Sequence, residues 1–129
     1  MSGSTFFAER DEELECDKAV MRWSGSVAKF SQRRASDQTP GISDRRYYVF
    51  RLAFWWEVKT SQGKLRQEQY EFLQREANHD ALAACGTAAE LTKVLEAVAA
   101  HAPANRRAAA EELARNLRET WRAKGFRTS

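Results

Sequence analysis

A carboxylate and an ammonium group follow the most apolar stretch of the chain. Residues 52–56 have the aromatic bulk of a buried strand, and Glu57, Val58 and Lys59 come directly after them. Because side chains alternate along a strand, Glu57 and Lys59 share one face, roughly 6–7 Å apart. An acid and a base held side by side on a rigid strand can bind a metal ion and polarise a phosphate.

A second carboxylate, Asp44, stands at the start of the preceding β-rich segment. Residues 46–50 and 52–59 predict two paired strands with a tight connection near Arg51. In that hairpin Asp44 returns beside Glu57 and Lys59. Two carboxylates and a lysine suit a hard cation such as Mg²⁺ or Mn²⁺, which can polarise a phosphoryl oxygen and lower the pKa of a bound water.

The elements that must position these residues predict an α/β domain, with the order α-β-β-α-β-α-α around a small mixed central sheet flanked by helices. Helices are expected over 11–23, 65–78, 87–100 and 104–125, and a short strand over 81–84. Thr87 opens a capping box and Asn105 can cap the last helix. Residues 30–43 predict a loop, and residues 61–64 predict a turn in which Gly63 is free to take a positive φ.

This pattern divides the chain into three parts. Residues 1–10 are expected to be a flexible N-terminus, residues 11–100 the core, and residues 104–125 a basic amphipathic helix. That last helix can dock onto the core or onto a second subunit through an apolar face. The face consists of Leu113, Leu117 and Trp121.

Composition predicts one soluble globular domain. The chain has 129 residues, of which 30% are charged, and a net charge of +3. No apolar run approaches the roughly 18–20 residues needed to span a bilayer and no secretory signal is visible, so we expect no membrane association. Two cysteines and two histidines are too few for a disulfide scaffold or a zinc site, which favours a reducing cytoplasm. An acidic N-terminal segment leaves a basic body, which suits a polyanionic partner.

The order of the candidate residues resembles the PD-(D/E)xK nuclease superfamily, and within it the VRR-NUC type, which includes phage-like and Holliday-junction-related endonucleases. The resemblance covers about residues 12–97 and is carried by Asp44, Glu57 with Lys59, residues 63–65, and Gln69 with residues 72–73. The family pattern places an acid on a first helix, then a Gly-x-Pro-Asp turn, a Glu-x-Lys strand, and a turn before a helix that bears Gln. This sequence departs from it at Ser43 and Arg45, where the family has proline and an apolar residue.

The resemblance implies a restriction-endonuclease-like fold and a function. The expected function is a Mg²⁺- or Mn²⁺-dependent endonuclease, bacterial or phage-encoded, that hydrolyses phosphodiester bonds in DNA through a metal-activated water, structured or branched DNA included. A homodimer would allow both strands to be cut. The alternatives are a catalytically inactive nuclease-fold module that binds nucleic acid or serves assembly, and a plain interaction domain that meets an acidic protein.

Residue roles follow from the same resemblance. Asp44, Glu57 and the Val58 carbonyl would hold the metal, Lys59 would be the catalytic lysine, and Gln69 would help to position water or phosphate. An acid from the first helix should complete the site.

Glu13 fits that acid best, because Cys16, Val20 and Trp23 follow it at the spacing of a buried helical face. Glu12 and Glu15 remain alternatives. Taken singly, each motif residue also has an ordinary use: Glu57 and Lys59 as a solvated ion pair, Asp44 as a turn residue.

Basic residues around the motif suit a nucleic-acid backbone, which they can hold without reading sequence. The candidate contacts are Arg33, Arg34, Arg45, Arg46, Lys64 and Arg66. Basic residues of the last helix could extend that surface.

Overall fold

The computed structural model describes residues 2–30, 41–43, 45–102 and 104–125, with side chains from residue 8 onward. These residues form four helices and four strands. They are α1 (Ser2–Met21), β1 (Ser26–Lys29), β2 (Arg45–Val49), β3 (Leu52–Val58), α2 (Gln67–Asn78), β4 (Ala83–Gly86), α3 (Ala88–Ala99) and α4 (Arg106–Ala123).

The strands form one mixed sheet in the spatial order β1-β2-β3-β4. β2 pairs antiparallel with both β1 and β3, whereas β3 pairs parallel with β4, which the chain reaches through α2. Apolar side chains of α1 and α3 pack on one face of the sheet, and those of α2 pack on the other. The predicted α/β class and the small mixed sheet flanked by helices are confirmed.

The alternation predicted for β3 is confirmed by its two faces. Phe54, Trp56 and Val58 enter the core shared with α1 and α3. Trp55 points the other way and meets the Phe72 ring edge-on, with 5.2 Å between ring centroids. β3 is therefore buried on both faces, which fixes the side-chain directions of the residues at its end.

The predicted hairpin is also confirmed, and its turn lies where the sequence analysis places it. Phe50 and Arg51 connect β2 to β3 with φ values of 55° and 63°. Two successive positive φ values match the twist of a two-residue hairpin turn. Gly63, in contrast, does not take the positive φ for which it was considered free.

Two elements differ from the prediction. β1 is not predicted, so the observed order is α-β-β-β-α-β-α-α. This four-residue strand has no strong apolar alternation, and its pairing with β2 decides its conformation. α1 begins at Ser2, inside the stretch predicted as a flexible N-terminus, because an existing helix propagates at much less cost than a new one nucleates.

The ends of two other elements shift by two residues. α2 begins at Gln67 and β4 spans Ala83–Gly86, each later than predicted, whereas α3 follows its Thr87 cap as predicted. The apolar face of α4 is buried against the same chain, which is the docking arrangement. None of the helices in the described ranges is long and apolar enough to cross a membrane.

Candidate active site

A cavity of about 370 Å³ opens at the end of β3 and brings together most of the predicted site residues. Its walls come from α1, β3, the turn that follows β3, and the first turn of α2. The lining residues are Glu9, Glu13, Glu57, Val58, Lys59, Lys64, Arg66 and Gln69. Of these, Glu9 is the one that the sequence analysis does not propose.

Glu57 and Lys59 are held by the parallel pair of strands. Glu57 lies opposite Cys85 of β4 and is only 2% exposed. The Lys59 N–H donates to the Gly86 carbonyl at 2.9 Å, which continues the ladder one residue beyond β3. The strand geometry therefore directs a buried carboxylate and a half-buried ammonium group to the same cavity, as the alternation predicts.

Glu13, the first-helix acid that the spacing favours, lines the cavity together with Glu9. The alternatives point elsewhere: Glu12 accepts a hydrogen bond from the Ala88 N–H at 2.7 Å and so caps α3, and Glu15 pairs with Lys18 in solvent. Glu13 is the one of these three acids that lines the cavity.

Gln69 lies at the cavity wall with its amide oxygen already engaged. It is 5% exposed, and its Oε1 accepts a hydrogen bond from the Arg66 N–H at 3.0 Å. This contact satisfies a free donor at the start of α2 and holds the side chain in one orientation. Gln69 thus shapes the wall and stabilises the helix that forms it.

The segment that leads towards Asp44 is packed tightly against α2. Gly41 has a φ of 73°, and a Cβ at this position would overlap the Glu68 carbonyl. Ser43 is fully buried and its hydroxyl lies 3.5 Å from the Arg45 backbone nitrogen. Asp44 itself lies outside the described residues, so its approach to Glu57 stays a prediction.

The residues that line the cavity offer the type of donor atom that a hard cation prefers. Glu13 and Glu57 offer carboxylate oxygens and Val58 borders the same cavity, and oxygen ligands are what Mg²⁺ and Mn²⁺ prefer. Within the described parts of the chain no group of three His, Cys, Asp or Glu side chains could hold a metal ion. The third carboxylate of the predicted set, Asp44, lies outside those parts.

No protein-family profile, curated protein or solved structure matches this chain. The resemblance to VRR-NUC nucleases therefore stays a prediction carried by the residues themselves. The cavity at the end of β3 is the structural feature against which that prediction can be examined.

Arg45 has a role different from the nucleic-acid contact expected of it. It is 8% exposed, its Nε donates to Asp17 Oδ1 at 3.1 Å, and its Nη2 donates to Glu13 Oε2 at 3.3 Å. Tyr47 Oη donates to the same Asp17 oxygen at 2.6 Å. Arg45 therefore links Glu13 to a buried carboxylate instead of lying on the surface.

The electrostatics of this cluster keep Arg45 charged. Burial by itself would lower the Arg45 pKa, but the hydrogen bond and charge of Asp17 and the charge of Glu13 outweigh it and raise the pKa. Asp17 is not among the site residues predicted from sequence. Its position directly after Cys16, on the buried side of the helix, was the available signal.

Three of the remaining basic candidates lie in the part of the chain that the structure describes. Lys64 and Arg66 are exposed at the edge of the cavity. The Arg46 guanidinium lies over the Trp55 ring, 4.8 Å from its centroid, on the opposite face of β2 from Arg45. Arg33 and Arg34 lie outside the described residues.

Proposed function

We propose that this protein is a metal-dependent endonuclease that hydrolyses phosphodiester bonds in DNA. The observation that carries the proposal is the convergence of Glu13, Glu57, Lys59 and Gln69 on one cavity. These residues come from α1, from β3 and the residue after it, and from α2. Glu57 is only 2% exposed, so the alternative of a solvated ion pair between Glu57 and Lys59 does not explain its position. A buried acid beside a lysine in a cavity is typical of a site that does chemistry.

Glu57, Glu13, Asp44 and the Val58 carbonyl would hold the ion. When bound, Mg²⁺ or Mn²⁺ supplies polarisation of a phosphoryl oxygen and a more acidic water. Lys59 would stabilise the negative charge that develops on the phosphate, because it lines the same cavity.

Three further residues support that arrangement. Arg45 holds Glu13 at its place in the cavity wall through the 3.3 Å contact. Lys64 and Arg66, exposed at the edge, would hold the phosphate backbone of the substrate without reading sequence.

The test is nicking of supercoiled plasmid and cleavage of branched and single-stranded DNA, in Mg²⁺ and in Mn²⁺. Glu57→Gln keeps the shape of the buried side chain, and Lys59→Ala removes the ammonium group. We expect each to lower the cleavage rate by about 100-fold or more. Matched controls are Glu111→Gln and Lys93→Ala, two exposed residues outside the cavity, which should cleave like the parent chain.

Each outcome separates the proposal from its alternatives, provided that circular dichroism shows every variant to be folded. DNA binding without cleavage in either metal would refute catalysis and indicate a nucleic-acid-binding module. Failure of the parent chain to bind any nucleic acid would indicate an interaction domain for an acidic protein.

A further inference from the structure

A second and larger cavity, of about 820 Å³, lies on the other side of Lys59 and Lys64. It opens between the turn after β3, the end of β4 and the start of α3, and Tyr70 and Lys124 complete its walls. Its volume lies within the range of about 300–1,000 Å³ that is typical of sites enclosing a small molecule. The two cavities are neighbours, because both are lined by Lys59 and Lys64.

The charge of the larger cavity comes from its lysines. Lys124 is paired with Glu90, at 2.9 Å from Oε2. Lys59 and Lys64 form no ion pair with any residue in the part of the chain that the structure describes. Their two positive charges are therefore available to an anionic group, such as a phosphate, at the boundary of the two cavities.

Two of the N–H donors at the start of α3 are already occupied and do not face an anion. The Glu90 N–H donates to Thr87 Oγ1 at 3.2 Å, and the Ala88 N–H donates to Glu12 Oε2 at 2.7 Å. An anion in this cavity would be held by ammonium groups.

Two apolar residues, Leu65 and Tyr70, also line this cavity. The Tyr70 ring is stacked on Trp121 with an interplanar angle of 10° and 6.0 Å between centroids, and this stack holds the tyrosine ring in one orientation. Cys85 is a buried lining residue, and burial raises the pKa of its thiol to about 12, so it adds no charge. The cavity lining thus combines cations with an ordered aromatic ring.

We propose that this cavity holds one unpaired nucleotide of the strand to be cut, with its phosphate against Lys59 and Lys64 and its base against Leu65 and Tyr70. The proposal rests on the proposed nuclease function and names its substrate class. A base inside a duplex must be unpaired and unstacked, at a free-energy cost, before it can enter a pocket, whereas an unpaired base enters at less cost. The preferred substrate is therefore DNA that has an unpaired nucleotide next to the scissile phosphate.

The test compares two fluorescein-labelled hairpin duplexes that differ only by one unpaired thymidine. Binding is measured by fluorescence anisotropy in EDTA, so the readout does not require cleavage. We expect the parent chain to bind the bulged duplex about tenfold more tightly, which is the ratio that one base–aromatic stack can supply.

Two tryptophan substitutions in the turn after β3 show whether the preference for the bulged duplex depends on this cavity. Ser61 is exposed and lines the cavity, whereas its neighbour Gln62 is exposed and does not line it. Ser61→Trp should fill the cavity and lose the preference for the bulge, and Gln62→Trp should keep it. Leu65→Ala, which removes part of the apolar wall, should weaken the preference by an independent route.

The proposal is overturned if the parent chain binds both duplexes equally. It is also overturned if Ser61→Trp and Gln62→Trp behave alike in the binding assay. A preference for the bulge without cleavage in Mg²⁺ or Mn²⁺ would refute catalysis alone, and cleavage without any preference would refute the nucleotide site alone.

Discussion

The buried ion pair between Arg45 and Asp17 leads to a sharp prediction for Arg45→Met. The methionine keeps the apolar length of the side chain and removes the guanidinium group. Asp17, which is 6% exposed, then loses its contact with Arg45 Nε and, among the residues that the structure describes, keeps its side-chain contacts with Tyr47 and Lys29. A buried carboxylate deprived of its main cation is strongly destabilising.

The expected loss of stability follows from the burial of the Arg45–Asp17 ion pair. Removing one partner of a buried ion pair costs roughly 3–5 kcal/mol, and the remaining partners of Asp17 favour the lower end, about 3 kcal/mol. For a domain of this size that corresponds to a fall in Tm of about 10 °C. The neighbouring variant Arg46→Met loses the contacts of the guanidinium with the Trp55 and Tyr48 rings, so we expect a loss of about 0.5–1 kcal/mol.

Urea denaturation followed by tryptophan fluorescence measures both variants, since the chain has four tryptophans. The double variant Asp17→Asn with Arg45→Met should recover part of the lost stability, because no charge is then left buried without its partner. The reasoning is wrong if Arg45→Met is no less stable than Arg46→Met. Reduced DNA affinity at unchanged stability would instead indicate that Arg45 contacts the substrate.

Two further predictions concern thiol reactivity and acid stability. Burial raises the pKa of Cys16 and Cys85 to about 12, so we expect a thiol reagent to modify the folded chain slowly at neutral pH. In guanidinium, where the chain is unfolded, both cysteines should react at once. Fast reaction of the folded chain would contradict this prediction. The Glu90 pKa is lowered: burial opposes the shift, but hydrogen bonds from Lys124 and Thr87 outweigh it. The ionised Glu90 therefore stabilises the folded chain at neutral pH, and this contribution is lost as the pH falls below the ordinary glutamate pKa of about 4.3. The urea midpoints of the parent chain and of Glu90→Gln should accordingly converge in acid.

The features that could be predicted from sequence depend on short-range patterns. Thr87 and Glu90 stand three residues apart and form the cap of α3, and Asn105 accepts a hydrogen bond from the Ala108 N–H at 3.0 Å. Alternation along β3 sends Glu57 to the face opposite Trp56. Such patterns need no knowledge of distant partners, since the neighbours that decide them are close in the chain.

Arg45 could not be assigned so easily, because its partner Asp17 lies 28 residues earlier. A charged residue in a strand is usually exposed, and this one is buried by a helix that packs over it. The alternation of Arg45 with Tyr47 and Val49, all on the inner face of β2, was the available sign. β1 was missed for a related reason, since its conformation depends on the partner strand.

Lys59 and Lys64 line both cavities, and the smaller one also has the carboxylates of Glu9, Glu13 and Glu57 in its walls. If an anion binds in the larger cavity as proposed and neutralises either ammonium group, it would make the potential in the smaller cavity more negative. A cation proposed for the smaller cavity would then be bound more tightly. Thermodynamic reciprocity would require the cation to strengthen binding of the anion by the same factor. Such coupling would run through the shared lysine charges and would need no movement of the chain.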